Sequence, residues 1–277
     1  MKFLIRHRIE YTYTDLVTLE PIIVRLRPLC NAFQEVLRHQ IQVSPEPGGN
    51  WPLIDYAGNP AQRFWFNGQH RRLRLEAFSE VETRRDNPFD FLLLPGCEKI
   101  PFEYEESTWR LLESYVKGRS IPEVTALAQG VLKDSGGETV PFLMRLASVL
   151  HEEIGLRRRP RGDPRSPERT LRLKQGACRD LAVLYAAACR SVGLASRFVS
   201  GYWHGPQIKT PELHAWCEVY LPGAGWRGFD PAAGLAVDST YIALAAGLTH
   251  HEARPTEGTF RGPARSRMRT TVRVEAL

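Results

Sequence analysis

The sequence predicts an α+β protein, with a β-sandwich-like domain preceding a core in which a helix packs on an antiparallel sheet. Three observations carry that reading. Apolar and polar residues alternate in short runs from Lys2 to about Phe102, the spacing turns helical past Pro101, and three strand-like runs follow Gly193. At about 150 residues per domain a chain of 277 holds roughly two. We divide it into an N-terminal β domain over 1–115 and a core with a C-terminal strand over 116–277.

In the first region Tyr11, Tyr13 and the run Ile22-Ile23-Val24-Arg25-Leu26-Arg27 read as strand, as do Val36, His39, Ile41 and Val43. Pro45-Glu46-Pro47-Gly48-Gly49 is a turn or loop by composition. Another short strand ends at Asp55-Tyr56-Ala57-Gly58-Asn59-Pro60. Alternation then resumes in Arg63-Phe64-Trp65-Phe66 and in Leu73-Arg74-Leu75-Glu76-Ala77-Phe78.

Past Pro101, Val124, Leu127, Ala128, Val131 and Leu132 recur at helical spacing behind Ile121-Pro122-Glu123, with proline in the first turn. Phe142, Leu143, Leu146, Val149, Leu150 and Ile154 repeat the pattern, and Gly155 stands where a helix stops. A basic stretch follows. Arg157, Arg158, Arg159, Arg161, Arg165, Arg169, Arg172 and Lys174 face only Asp163 and Glu168, and three prolines are expected to prevent regular structure. The plain reading is a solvated connecting loop; the sharper one is an electropositive rim that draws in anionic substrate.

Lys174-Gln175-Gly176-Ala177-Cys178-Arg179-Asp180 then leads into Leu181, Leu184, Tyr185, Ala188 and Cys189 at helical spacing. A cysteine therefore opens an apolar helix, where unpaired N–H groups and the positive dipole end stabilise a thiolate. Most free cysteines are simply small buried residues, a reading that suits Cys189 better. Cys189 lies three turns deeper on nearly the same face, roughly 16 Å away, too far to act as a resolving thiol. Asp180 is expected to complement the helix N-terminus and order the turn.

A thiolate nucleophile needs a proton-transfer partner, and an imidazole needs a third group to fix its tautomer. Leu194 to Trp203, Leu213 to Leu221 and Trp226 to Pro231 read as three strands, with Pro222-Gly223-Ala224-Gly225 turning the last two into antiparallel neighbours. His214 and Asp230 then fall near matching strand ends, within hydrogen-bonding reach.

The segment from Cys178 to Gly234 resembles the transglutaminase-like superfamily of papain-fold cysteine enzymes. G-A-C-R-D-L-A, G-L-A-S-R-F-V-S-G-Y, H-A-W-C-E-V-Y-L-P-G and G-W-R-G-F-D-P match its bacterial core in order and spacing. The resemblance implies a papain-like core with Cys178 as nucleophile, His214 as its histidine and Asp230 as its aspartate. The N-terminal β region and the tail through Val272-Arg273-Val274 resemble the bacterial subfamily with a transglutaminase-like N-terminal region. Leu213 stands where the family often has a small polar residue, and Ala232-Ala233 replace its usual Thr-Asn, departures that bear on substrate preference. Acyl chemistry on peptide or isopeptide-like bonds is the implied reaction. Hydrolysis, as in a cysteine protease or amidase, is the favoured outcome; acyl transfer to an amine and a non-catalytic binding module are the alternatives.

Other readings rank lower. His214 and Cys217 form an H-x-x-C pair, but odd separation on a strand puts them on opposite faces, and adjacent His250 and His251 have no nearby partner. No metal or cofactor is expected. Gln175 is a candidate oxyanion donor beside the Cys178 N–H, set against the plainer reading of a solvated loop glutamine. Trp203, Trp216 and Trp226 are read as packing residues.

Composition bounds the rest. With 43% hydrophobic and 25% charged residues the chain is an ordinary globular one, which excludes collagen, a disordered tail or a long coiled coil. The net charge of +6 permits an anionic partner without requiring one. Nucleic acid is not expected, because no aromatics interleave the basic stretch. The longest apolar run, Leu181 to Cys189, is about half of a membrane span, and Arg6-His7-Arg8 interrupts any signal-peptide core. Five cysteines, odd in number and without a C-x-x-C pair, suggest neither a disulfide framework nor a zinc site. A cytoplasmic protein acting on a peptide or protein substrate is the expectation.

Overall fold

A computed structural model describes residues 1–159, 162–206 and 210–277. Pro160 and Arg161 of the basic stretch lie outside the described residues. The chain opens with β1 (Lys2–Leu19), in which Phe3, Ile5, His7 and Ile9 point inward and Leu4, Arg6 and Arg8 outward. β2 (Ile22–Val24), β3 (Gln34–Ser44), β4 (Gly49–Ile54), β5 (Pro60–Trp65) and β6 (His70–Thr83) follow, on the runs where alternation predicts strands. Asp55 builds the β4–β5 turn, its Oδ1 accepting the N–H groups of Ala57 and Asn59 while Gly58 takes a φ of 84°.

The helical region contains α1 (Glu106–Val116), α2 (Pro122–Asp134), α3 (Thr139–Glu153), the short β7 (Gly155–Leu156), α4 (Pro167–Leu173), β8 (Gln175–Gly176) and α5 (Cys178–Ser191). Two of these helices go beyond the sequence expectation. α1 packs Leu112 with Tyr104 and Ala195 of the core. α4 forms inside the basic stretch, and the expectation that prolines keep that stretch irregular is corrected there. Pro167 occupies the first turn of α4, where a missing N–H costs nothing.

After α5 come β9 (Ser196–Trp203), β10 (His214–Leu221), β11 (Gly225–Asp230), β12 (Leu235–Ala236) and β13 (Tyr241–Gly247), then β14 (Thr256–Glu257), β15 (Phe260–Arg261) and β16 (Ser266–Ala276). The core sheet runs β12-β11-β10-β9-β13, all antiparallel. α2, α3 and α5 cover one face of it, burying Leu146, Leu181, Leu184 and Tyr185 against Cys217, Val219 and Phe229.

Two further sheets make the sandwich. In one, β6 lies between β1 and β3, and β16 and β15 pair with successive stretches of β1; the other runs β14-β2-β5-β4. The three C-terminal strands thus return to the N-terminal sheets. The enclosed core of Phe3, Ile5, Leu26, Phe64, Leu75 and Val81 continues into Tyr202, Ile242 and Leu244 of the core sheet, so one hydrophobic layer joins both halves.

Gly201 of β9 sits opposite His214 of β10 on one side and Ala243 of β13 on the other. A Cβ there would lie 2.2 Å from the Ile242 carbonyl oxygen and 2.5 Å from Trp216 Cη2. Gly201→Ala is therefore expected to cost about 1–3 kcal/mol by overpacking, read as a lower urea midpoint. An unchanged midpoint would show that the strands spread there freely.

Candidate active site

Cys178 is the first residue of α5, and the turn before it is drawn tight. A Cβ on Gly176 would meet Asp180 Cβ and Leu181 Cδ1 at 3.0 Å. Asp180 is fully buried, and its Oδ2 accepts the Ala177 N–H at 2.8 Å, closing the N-terminus of the helix. Its Oδ1 accepts the Arg165 N–H at 2.8 Å and the Arg159 guanidinium. Arg165 in turn donates to the Gln175 carbonyl at 3.0 Å, and Arg179 reaches the Gly162 and Arg159 carbonyls. The basic stretch is therefore in part a strap tied over the nucleophile turn, which corrects the plain reading of a solvated connector.

His214 begins β10, and its Nε2 donates to Asp230 Oδ2 at 2.6 Å. A carboxylate only accepts, so the bond fixes the proton on Nε2 and leaves Nδ1 as the ring nitrogen not engaged by Asp230. Burial disfavours the imidazolium. The Asp230 carboxylate and the Cys178 sulfur outweigh that burial and hold His214 well above the ordinary histidine value. The three residues expected from the sequence thus come together in space.

Asp230 ends β11 with no exposed side-chain surface, against 15% for His214. Its Oδ1 accepts the Ala232 N–H at 2.9 Å, and its Oδ2 also accepts the Tyr241 hydroxyl at 3.0 Å. Tyr241 is a residue that sequence reasoning missed. It opens β13, a strand whose place beside β9 is a long-range fact, and its only trace in the sequence is the apolar run that it begins.

Trp203, Trp216 and Tyr241 surround the imidazole at ring distances of 5.7, 6.3 and 6.3 Å, with Trp203 stacked on Tyr241 at 5.5 Å. The two tryptophans do pack, and what they pack is the histidine. Trp226 lies apart, between Tyr115 and Tyr220. Gln175 is half-buried in β8 beside Gly155, and Leu213 packs toward the sandwich core. Cys217 is buried in the helix-facing core, away from the His214 face, and burial pushes its thiol up to about 12. Cys189 is likewise buried, and its thiol is raised by burial. Among the described residues no cluster of three or more histidine, cysteine or acidic groups could hold a metal.

Tyr241→Phe removes one donor from Asp230 Oδ2, concentrating negative charge on the oxygen that holds His214. The imidazole is expected to titrate at higher pH still, followed by NMR of its ring protons, while the fold is kept. A midpoint that falls, or does not move, would show that Tyr241 has no electrostatic hold on the pair.

The chain has recognisable relatives. Residues 125–231 match the transglutaminase-like superfamily, and residues 3–82 match the bacterial transglutaminase-like N-terminal region. Rv2569c of Mycobacterium tuberculosis, an uncharacterized protein by name, is 26% identical over 274 residues, covering 93% of this chain and 87% of its own. ML0607 of Mycobacterium leprae, also named uncharacterized, is 24% identical over 290 residues, covering 98% and 97%. A crystal structure named “Putative Cysteine Protease from Cytophaga hutchinsonii” shares the fold, with a TM-score of 0.74 at 19% identity over 100% of this chain and 91% of that one. The chain belongs to the transglutaminase-like superfamily, in the bacterial branch that carries a transglutaminase-like N-terminal region.

Proposed function

We propose that the protein is a cysteine-dependent hydrolase of amide or peptide bonds, working through a thioester acyl-enzyme. The observation that carries the reading is an imidazole held by Asp230 at 2.6 Å and acted on by the Cys178 sulfur at the head of α5. Cys178 Sγ attacks the carbonyl carbon, and the C–N bond breaks as His214 gives its proton to the leaving amine. Water then attacks the thioester, His214 takes its proton, and the thiol is restored. Asp230 orients the ring throughout, and the Cys178 N–H with Gln175 are the donors assigned to the oxyanion.

A thiolate is itself the nucleophile, so the cycle calls for no cofactor or metal. Peptides or proteins are the assigned substrates. The name of the Cytophaga protein supports the choice of a protease. No helix among the described residues is long and apolar enough to cross a membrane, and we assign the reaction to the reducing cytoplasm.

Intact-mass labelling with a low dose of iodoacetamide tests the nucleophile. One adduct is expected on the native protein, none on Cys178→Ala, and labelling at least about tenfold slower on His214→Ala. Equal, slow labelling of all three would move the binding-module reading ahead. γ-Glutamyl cross-links without cleavage would replace water by an amine as acceptor.

A further inference from the structure

A cleft of about 710 Å³ runs along α5, lined by Val183, Ala187 and Arg190 of that helix and by Phe198 of β9. Cys178 does not line it, but Cys178 and Val183 pack against one small cluster that contains Phe198, which links the cleft to the head of the helix. Its floor ends at Arg190, which is anchored rather than mobile. Nε donates to the Tyr115 carbonyl at 3.0 Å, and Nη2 donates to the Ser196 and Leu248 carbonyls at 2.7 and 3.0 Å.

All three of those acceptors are neutral. The three carbonyl bonds of Arg190 use Nε and Nη2, and Glu252 is the carboxylate near enough to favour its charge. Glu168, the one carboxylate among the described lining residues, is taken by Arg119 at 3.6 Å. Burial disfavours the Arg190 charge more than the nearby Glu252 restores it, so an anion arriving at Nη1 meets a guanidinium that is already ordered and open to a closer counter-ion.

We infer that this cleft binds an acidic peptide segment and that Arg190 Nη1 receives its carboxylate. The apolar wall of Val183, Ala187 and Phe198 suits side chains on the intervening residues. Along α5, Arg190 lies about 18 Å from Cys178 at 1.5 Å per residue. An extended peptide covers that distance in about five residues at roughly 3.4 Å each. The carboxylate is thus placed about five positions from the bond under attack. That the bound peptide is the substrate rests on the hydrolase reading; that the cleft takes a carboxylate does not.

The probes are fluorescein-labelled decapeptides of alanine and leucine with one glutamate walked along the chain, each with its glutamine counterpart, titrated into full-length Cys178→Ala protein. At the best position the glutamate peptide is expected to bind at least about tenfold tighter than its counterpart. The preference should be lost in Ala187→Glu, which seats a carboxylate in the cleft, and kept in Ala187→Gln. Neither change disturbs the three carbonyl bonds of Arg190, whereas Arg190→Gln, expected to lose the preference as well, is read only where its circular dichroism is native. Equal binding of both peptides, no binding at all, or a preference that survives Ala187→Glu would overturn the inference. Glutamate preference without selective alkylation of Cys178 would leave the cleft standing and remove the hydrolase reading; selective alkylation without the preference would do the reverse.

Discussion

A carboxylate with no exposed surface sits at the centre of this protein, and the rest of the site follows from how that charge is satisfied. An ionised Asp230 out of water is tolerated only if its lone pairs are met by donors. Three donors meet them: the His214 ring, the Tyr241 hydroxyl and the Ala232 N–H. Each comes from a different stretch of chain. The requirement to neutralise one buried group therefore fixes β10, β13 and the turn after β11 relative to one another, and it leaves Nδ1 of His214 as the ring nitrogen not engaged by Asp230.

The N-terminal sandwich takes part through β13, the edge strand of the core sheet. An edge strand presents unpaired main-chain groups, and here two side-chain amides cover them. Gln34 accepts the Ala243 N–H at 2.8 Å and donates to the Ala243 carbonyl at 2.9 Å; Asn59 does the same for Ala246 at 2.8 and 2.9 Å. Each amide substitutes for one residue of a neighbouring strand. Tyr202 on β9 is tied to β1 through His7 Nδ1 at 2.8 Å, and burial lowers that histidine to about 4, so it stays a neutral hydrogen-bonding group. The β domain is thus continuous with the strand that presents Tyr241, and through it with Asp230 and His214.

What the sequence makes legible follows the distance over which each signal acts. Cys178 at the head of a helix, and His214 and Asp230 on strands joined by the tight turn at Pro222 to Gly225, are local patterns, and local periodicity finds them. Tyr241 reaches Asp230 only because β13 crosses to pair with β9, and no local period encodes that crossing. Asp180 is half legible. Its place in the first turn marks it as a helix cap, yet its bonds to Arg159 and Arg165 depend on the basic stretch folding back over the turn. α4 escapes notice because it is a seven-residue helix in a stretch punctuated by prolines, where periodicity has too few turns to register.

In the proposed reaction a thioester on Cys178 has the same chemistry whether water or an amine resolves it, so Cys178, His214 and Asp230 do not by themselves choose between hydrolysis and transfer. The choice belongs to the groups that receive the second reactant. An amine acceptor at neutral pH arrives as an ammonium ion and must shed its proton close to the thioester. Arg190 stands about 18 Å along α5 from Cys178, beyond the roughly 8 Å over which an exposed charge acts at physiological salt, so its guanidinium does not select between the two acceptors. The selection rests with the groups close to the histidine: the Asp230-held His214 imidazole itself and the Trp203, Trp216 and Tyr241 rings around it.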